Sequence, residues 1–227
     1  MRLKKGFLVV FEGIDGAGKT TQANLLYDTL TSKGYCVIKS KEPTDSIYGK
    51  KIRKLAMGER DVNNPESEYS LFLSDRRIHV ENLIKPALNQ NQIVILDRYY
   101  FSNIAYQGAL GMDPVKIKSD NESFAPIPEF VFLLEVPPRL GLRRIQKSRG
   151  ETPNLFEQEE NLTKVDKIYK SLNENYILRL NGSDRRRVIH RQIMNSIEDL
   201  LDHFVEKHEQ CMLFNDQFDF DNNQMVK

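Results

Sequence analysis

Apolar residues along this chain follow two rhythms. Short continuous runs such as Phe7-Leu8-Val9-Val10-Phe11 and Ile93-Val94-Ile95-Leu96 have the form of strands buried on both faces. Elsewhere the apolar positions recur every three or four residues, as on one side of a helix. The runs predict strands at 7–12, 35–40, 93–97, 129–135 and 176–180. The helical spacing predicts helices at 19–33, about 46–58, 66–90 with a break near Pro86, 138–149, 157–174 and 184–206. In the first helix Ala23, Leu26 and Leu30 share a face before Gly34 ends it. In the last, Asp184 is placed as the N-cap, and Val188, Ile189, Ile193, Ile197, Leu200, Leu201 and Phe204 form a stripe expected in the core. Strands alternating with helices predict an α/β fold with a parallel sheet.

Two stretches break the pattern. Residues 107–128 carry Gly108, Gly111, Pro114, Pro126 and Pro128, and read as a long loop. Residues 148–156 interrupt two helices with Gly150 and Pro153, next to Arg143, Arg144, Lys147 and Arg149. This is the composition of a lid at about 143–156. One domain over 1–206 is followed by a tail at 207–227, rich in Asn, Asp and Gln with scattered Phe. The tail is either loosely held or docked through its aromatic residues.

The 227 residues suit one α/β domain with a substantial core. A net charge of +1 supplies no basic field for nucleic acid. The two cysteines, Cys36 and Cys211, fit a reducing compartment, with Cys36 expected as a small buried residue in a strand. The basic start Met1-Arg2-Leu3-Lys4-Lys5 precedes an apolar run too short for a signal peptide, and no stretch is long enough to span a membrane. A soluble, cytoplasmic protein is expected.

Residues 13–20, Gly-Ile-Asp-Gly-Ala-Gly-Lys-Thr, fit G-x-x-x-x-G-K-S/T, the phosphate-binding P-loop. Strand, glycine loop and helix come in the required order. Gly13, Gly16 and Gly18 let the backbone approach a polyphosphate. Ile14, Asp15, Ala17 and Thr21 complete a loop whose N–H groups sit at a helix N-terminus. Lys19 adds a mobile charge for the β- and γ-phosphates, and the Thr20 hydroxyl is a Mg²⁺ ligand. The fold expected is therefore a three-layer P-loop NTPase fold: a five-stranded parallel sheet flanked by helices, with a lid. No Asn-Lys-x-Asp element for reading guanine occurs.

Asp97 ends a strand where ligands of open α/β sheets gather. It can hold Mg²⁺, and Arg98 beside it can clamp a transferring phosphoryl group; the alternative is a plain strand-end ion pair. Phe72 and Arg76 lie one helical turn apart, either stacking on a base and bonding its edge or divided between core and solvent. The cluster Arg143, Arg144, Lys147 and Arg149 is either a solvated helix face or a set of charges for the phosphoryl group.

The chain resembles the thymidylate kinases over roughly residues 5–205. The carrying segments are Phe11-Glu12-Gly13 running into the P-loop through Gln22, then Glu42-Pro43-Thr44, Phe72 with Arg76, and Asp97-Arg98-Tyr99 running to Ala105-Tyr106-Gln107-Gly108. The resemblance implies ATP and Mg²⁺ as cofactors, dTMP as acceptor and a homodimer paired through helices near 66–90. It implies that Asp15 contacts the 3′-hydroxyl of the sugar, that Arg53 grips the acceptor phosphate, and that Glu42 is among the substrate-binding residues. Arg98 would bridge the acceptor phosphate and the γ-phosphate. Phe72 would stack on thymine and Arg76 bond its edge. Ser102, Asn103 and Gln107 lie in the stretch that reads the base, and Tyr106 under the sugar. Arg149 matches the lid arginine best, with Arg143 and Arg144 as alternatives. Arg144 and Asn181 would also line the ATP side. Gly16 stands where some members carry an arginine, as in the branch that keeps this arginine in its lid. The chain departs from the family in reading Lys41-Glu42-Pro43-Thr44-Asp45 where many bacterial members have Arg-Glu-Pro-Gly-Gly.

The activity expected is transfer of the ATP γ-phosphoryl group to dTMP, giving dTDP and ADP. The rivals are another deoxynucleotide or deoxynucleoside kinase, the latter with Glu42 as base, or a non-catalytic P-loop binding protein.

Overall fold

The computed structural model describes residues 1, 3–56, 64–149 and 159–204, with only the backbone of Ser148 and Arg149. The tail at 207–227 and most of the expected lid lie outside the described residues. Five strands form one parallel sheet in the order β2-β3-β1-β4-β5. They are β1 (Phe7–Glu12), β2 (Val37–Lys41), β3 (Ile93–Asp97), β4 (Phe130–Glu135) and β5 (Ile177–Asn181). The helices are α1 (Lys19–Ser32), α2 (Ile47–Lys54), α3 (Pro65–His79), α4 (Lys85–Asn89), α5 (Tyr100–Ala109), α6 (Pro114–Glu122), α7 (Pro138–Arg149), α8 (Glu159–Ser171) and α9 (Arg186–Phe204).

The central strand β1 is buried along its whole length, as its unbroken apolar run requires in a sheet covered on both faces. Helix α1 packs on β1, β2 and β3 and against α9, while α5 packs with α6 and α8. Every strand runs the same way, so Glu12, Lys41, Asp97, Glu135 and Asn181 all end at one edge of the sheet. That edge, with β1 and β3 side by side, carries the site.

Four local expectations are corrected. Residues 107–128 are not one loop, because α6 forms inside them. Asp113 caps it by accepting from the Val115 N–H, Pro114 sits in the first turn, and Ile117 and Asn121 bury one face. The helix over 66–90 does not break at Pro86. A π-helical turn at Val80–Ile84 joins α3 to α4 with the backbone helical throughout, and this changed register accommodates a residue without an N–H. Cys36 is exposed and precedes β2; β2 is an edge strand paired only with β3. Helix α9 starts at Arg186, the Asp184 carboxylate accepts from the Asn181 amide instead of capping it, and Val188 is exposed while Ile189, Ile193, Ile197 and Leu201 are buried.

Candidate active site

The glycine loop leaves β1 and enters α1. Gly13 has φ 133°, and a Cβ there would lie 2.4 Å from the Leu134 carbonyl oxygen of β4. Only glycine lets the loop turn so close to the neighbouring strand. Lys19 Nζ donates to the carbonyls of Gly13 and Ile14, both at 2.9 Å. Burial, and then the Arg98 charge, push the Lys19 amine down to about 8, against the pull of Asp15, Asp97 and Glu12.

At the start of α1 the Thr20 hydroxyl donates to the Asp97 carboxylate. Hydroxyl and carboxylate oxygens are the hard donors Mg²⁺ takes. Among the described residues no group of three or more His, Cys, Asp and Glu gathers into a cage.

Arg98 follows β3 with a positive φ of 75°, a conformation uncommon for a residue with a side chain. Its Nη1 donates to Ser102 Oγ at 2.9 Å, and its Nη2 donates to the Asp15 carboxylate. The Tyr106 hydroxyl donates to the other Asp15 oxygen at 3.2 Å, and the guanidinium lies 5.3 Å from the Tyr106 ring centre. Asp15, Arg98, Ser102 and Tyr106 thus form one cluster across the mouth of the loop.

On the acceptor side, Arg76 is buried (1% exposed). Its Nε and Nη2 donate to Glu42 Oε2 at 2.8 and 2.6 Å, and Nη1 donates to Asn121. The other Glu42 oxygen lies 3.0 Å from His79 Nδ1, and His79 Nε2 lies 2.9 Å from Ser40 Oγ. Phe72 is half-buried one turn before Arg76. Arg53 donates to the carbonyls of Pro43 (3.1 Å) and Thr44 (2.7 Å) and pairs with Asp45 at 2.8 Å. The segment carrying these partners is pinned by Asp75, which accepts from the Thr44 N–H, the Thr44 hydroxyl and Ser46 Oγ. Asn103 and Gln107 are buried side by side, Asn103 Nδ2 donating to Gln107 Oε1 at 3.0 Å. Asn103 Oδ1 has no partner among the described residues, so it is an acceptor left open.

On the nucleotide side a cleft of about 560 Å³ runs along the P-loop past Asp97, Arg98, Arg144 and Gly182. Arg144 Nη1 donates to the carbonyls of Gly16 (3.2 Å) and Gly182 (3.0 Å). Asn181 turns on itself, accepting from the Ser183 N–H and donating to Asp184, both at 3.0 Å. Arg143 is exposed. The Arg149 side chain lies outside the described residues.

Several residues of the site went unassigned in the sequence. Glu12, fully buried, accepts from the Tyr99 and Ser102 N–H groups and from the hydroxyls of Ser102 and Tyr169. Burial raises its carboxyl above the ordinary range despite the nearby Arg98 charge. A lone carboxylate ending an apolar run was the available signal for Glu12. His79, Asp75, Asn121 and Tyr169 lie on helical patterns with nothing in their spacing to mark them.

The protein-family model described as thymidylate kinase matches residues 11–193. The chain is 48% identical over 196 residues to a thymidylate kinase of Desulfotalea psychrophila, covering 86% of this chain and 96% of the relative. It is 40% identical over 195 residues to one of Brachyspira hyodysenteriae (86% and 95% covered) and 47% identical over 167 residues to one of Xylella fastidiosa (74% and 75% covered).

Proposed function

The chain belongs to the thymidylate kinase family, whose members phosphorylate dTMP to dTDP with ATP and Mg²⁺, and on that premise we propose how its residues divide the work. The observation that carries the proposal is the placement of Arg98. It stands at the end of β3, tied to Asp15 of the phosphate loop on one side and to Ser102 of α5 on the other.

The P-loop N–H groups and Lys19 bind the ATP phosphates, Lys19 exchanging two loop carbonyls for phosphate oxygens. Thr20 and Asp97 would hold Mg²⁺, which would supply positive charge to offset that of the polyphosphate. Arg53 grips the acceptor phosphate, and Glu42 with Asp75 fix the segment it works from. Phe72 lies under the base, Arg76 meets its edge, and the open Asn103 oxygen accepts a base N–H. Ser102 serves Arg98 instead of the base, since its hydroxyl is committed to Arg98 and Glu12. Asp15 and Tyr106 meet the sugar. Arg98 bridges the two phosphates as the phosphoryl group passes. An acceptor phosphate is already ionised near neutral pH, so positioning and charge, without a strong base, carry the reaction. Arg149 and Arg144 supply charge from the α7 side, and Asn181 borders the adenine.

A nucleoside kinase would need a free carboxylate base. Glu42 does not suit that role, because Arg76 and His79 occupy both its oxygens in the interior. ADP release measured with ATP, Mg²⁺ and a panel of dTMP, dUMP, dCMP, UMP and thymidine decides this. Turnover with dTMP and none with thymidine is expected; thymidine turnover would overturn the reading.

The same reading makes the enzyme a cytoplasmic homodimer paired through residues 66–90, where Ile78 is exposed. Among the described residues no helix is long and apolar enough to cross a membrane. Light scattering should give the mass of two chains.

A further inference from the structure

We propose that Glu12 and Tyr169 are positioning residues for Arg98: Glu12 caps α5 from outside, and the two together fix the serine that aims the guanidinium. The inference rests on the reading of Arg98 as the arginine that bridges the two phosphates.

The first observation is the start of α5. Its N-cap position is Tyr99, whose side chain makes no capping bond, so the first N–H groups need another acceptor. Glu12 provides it from the end of β1. Its Oε1 accepts from the Tyr99 N–H at 2.7 Å and from the Ser102 N–H at 3.2 Å. A cap delivered from a different strand fixes where the helix begins relative to the sheet, which an adjacent Ser or Asp would not do.

The second observation is what lies between sheet and helix. Arg98 is the single residue linking Asp97 of β3 to Tyr99, and it holds the left-handed backbone with φ 75°. Such a conformation persists only where the surroundings determine it. Here the Arg98 N–H donates to the Phe11 carbonyl at 3.0 Å, and the next N–H donates to Glu12. Consecutive residues of β1, Phe11 and Glu12, therefore hold consecutive residues of the turn.

The third observation is the side-chain path. Ser102 Oγ accepts from Arg98 Nη1 at 2.9 Å and donates to Glu12 Oε2 at 2.8 Å. The Tyr169 hydroxyl donates to the same Glu12 oxygen at 2.8 Å and lies 3.1 Å from Ser102 Oγ. Tyr169 is buried on α8, so that helix also bears on the arginine. Glu12 is wholly inaccessible, and both its oxygens are taken by protein donors. A carboxyl group buried this deeply, whose donors are the start of α5, Ser102 and Tyr169, acts through what it holds.

Tyr169→Phe removes one hydroxyl and Glu12→Gln keeps the shape. Each is measured alone and combined with Arg98→Ala, by single-turnover phosphorylation of dTMP, by ATP binding to the full chain and by thermal melting. Each single variant should lower the transfer rate at least about tenfold, with ATP affinity within about twofold, because only the aim of Arg98 has changed. In the Arg98→Ala background each should cost less than about twofold, since residues acting as one unit are not additive. Multiplying losses in that background, or unchanged rates in both single variants, would overturn the inference while leaving the role of Arg98 standing. Near-normal transfer by Arg98→Ala alone would remove that role and the inference together. If Glu12→Gln fails to fold, Tyr169→Phe decides.

Discussion

Arg98 and Asp15 form an ion pair across the mouth of the phosphate loop. One residue comes from the end of β3 and the other from inside the glycine loop, so the loop's acidic position is tied to the arginine that follows β3. Asp15→Asn loses the charge-assisted bond while keeping the shape. It should lower kcat/KM for dTMP about tenfold to a hundredfold, the range for hydrogen bonds to charged groups, with ATP binding little changed. Steady-state kinetics with each substrate varied in turn checks this.

Glu12 gives a pH prediction. Burial holds its carboxyl above the ordinary value of 4.5, despite the Arg98 charge and its bonds to Ser102, Tyr99 and Tyr169. The folded protein therefore binds a proton there at pH values where the unfolded chain has lost it. The stability from this group is full below pH 4.5 and is lost as pH rises through the raised value. Gln at this position is neutral at every pH; its oxygen can accept from the two backbone N–H groups, while its NH2 must donate to the Ser102 and Tyr169 hydroxyls, reversing those two bonds. Glu12→Gln should melt no lower than the parent at neutral pH, and the difference between them should shrink towards pH 4. Thermal melting across pH shows it.

Glu42 carries the buried pair with Arg76. Glu42→Ala would leave a guanidinium in the interior without its carboxylate. The cost should be about 3–5 kcal/mol, seen as a lowered denaturant midpoint. Arg76→Ala should cost less stability than this and more affinity for dTMP.

Gly141 of α7 faces the phosphate loop. A Cβ on it would lie 2.5 Å from the Asp15 carbonyl oxygen, and a Cβ on Gly16 would lie 2.3 Å from the Gly141 carbonyl oxygen. The two backbones therefore touch, which gives a physical reason why position 16 holds no arginine here. Gly141→Ala must push α7 off the loop. It should cost about 1–3 kcal/mol and weaken ATP binding, measurable by denaturation and by nucleotide titration.

The sheet was legible because β1 and β3 are unbroken apolar runs ending in Glu12 and Asp97, and the phosphate loop because its glycines have a fixed spacing. The helix α6 was hidden by its flanking glycine and prolines, although Asp113 and Pro114 together form a helix start. Cys36 was misplaced because a run of apolar residues does not say which strand is at the edge. The pairs Asp15–Arg98 and Glu42–Arg76 join residues far apart in sequence, so no local pattern shows them. Glu12 and Tyr169 are further apart still, and their partnership exists only once α8 lies on α5.

The most direct test of the account is single-turnover transfer from ATP to dTMP by Arg98→Ala. The expected rate is lower by on the order of a thousandfold or more, as for arginines that bridge a transferring phosphoryl group, with ATP and Mg²⁺ still bound. Transfer within a few-fold of the unaltered enzyme would contradict it.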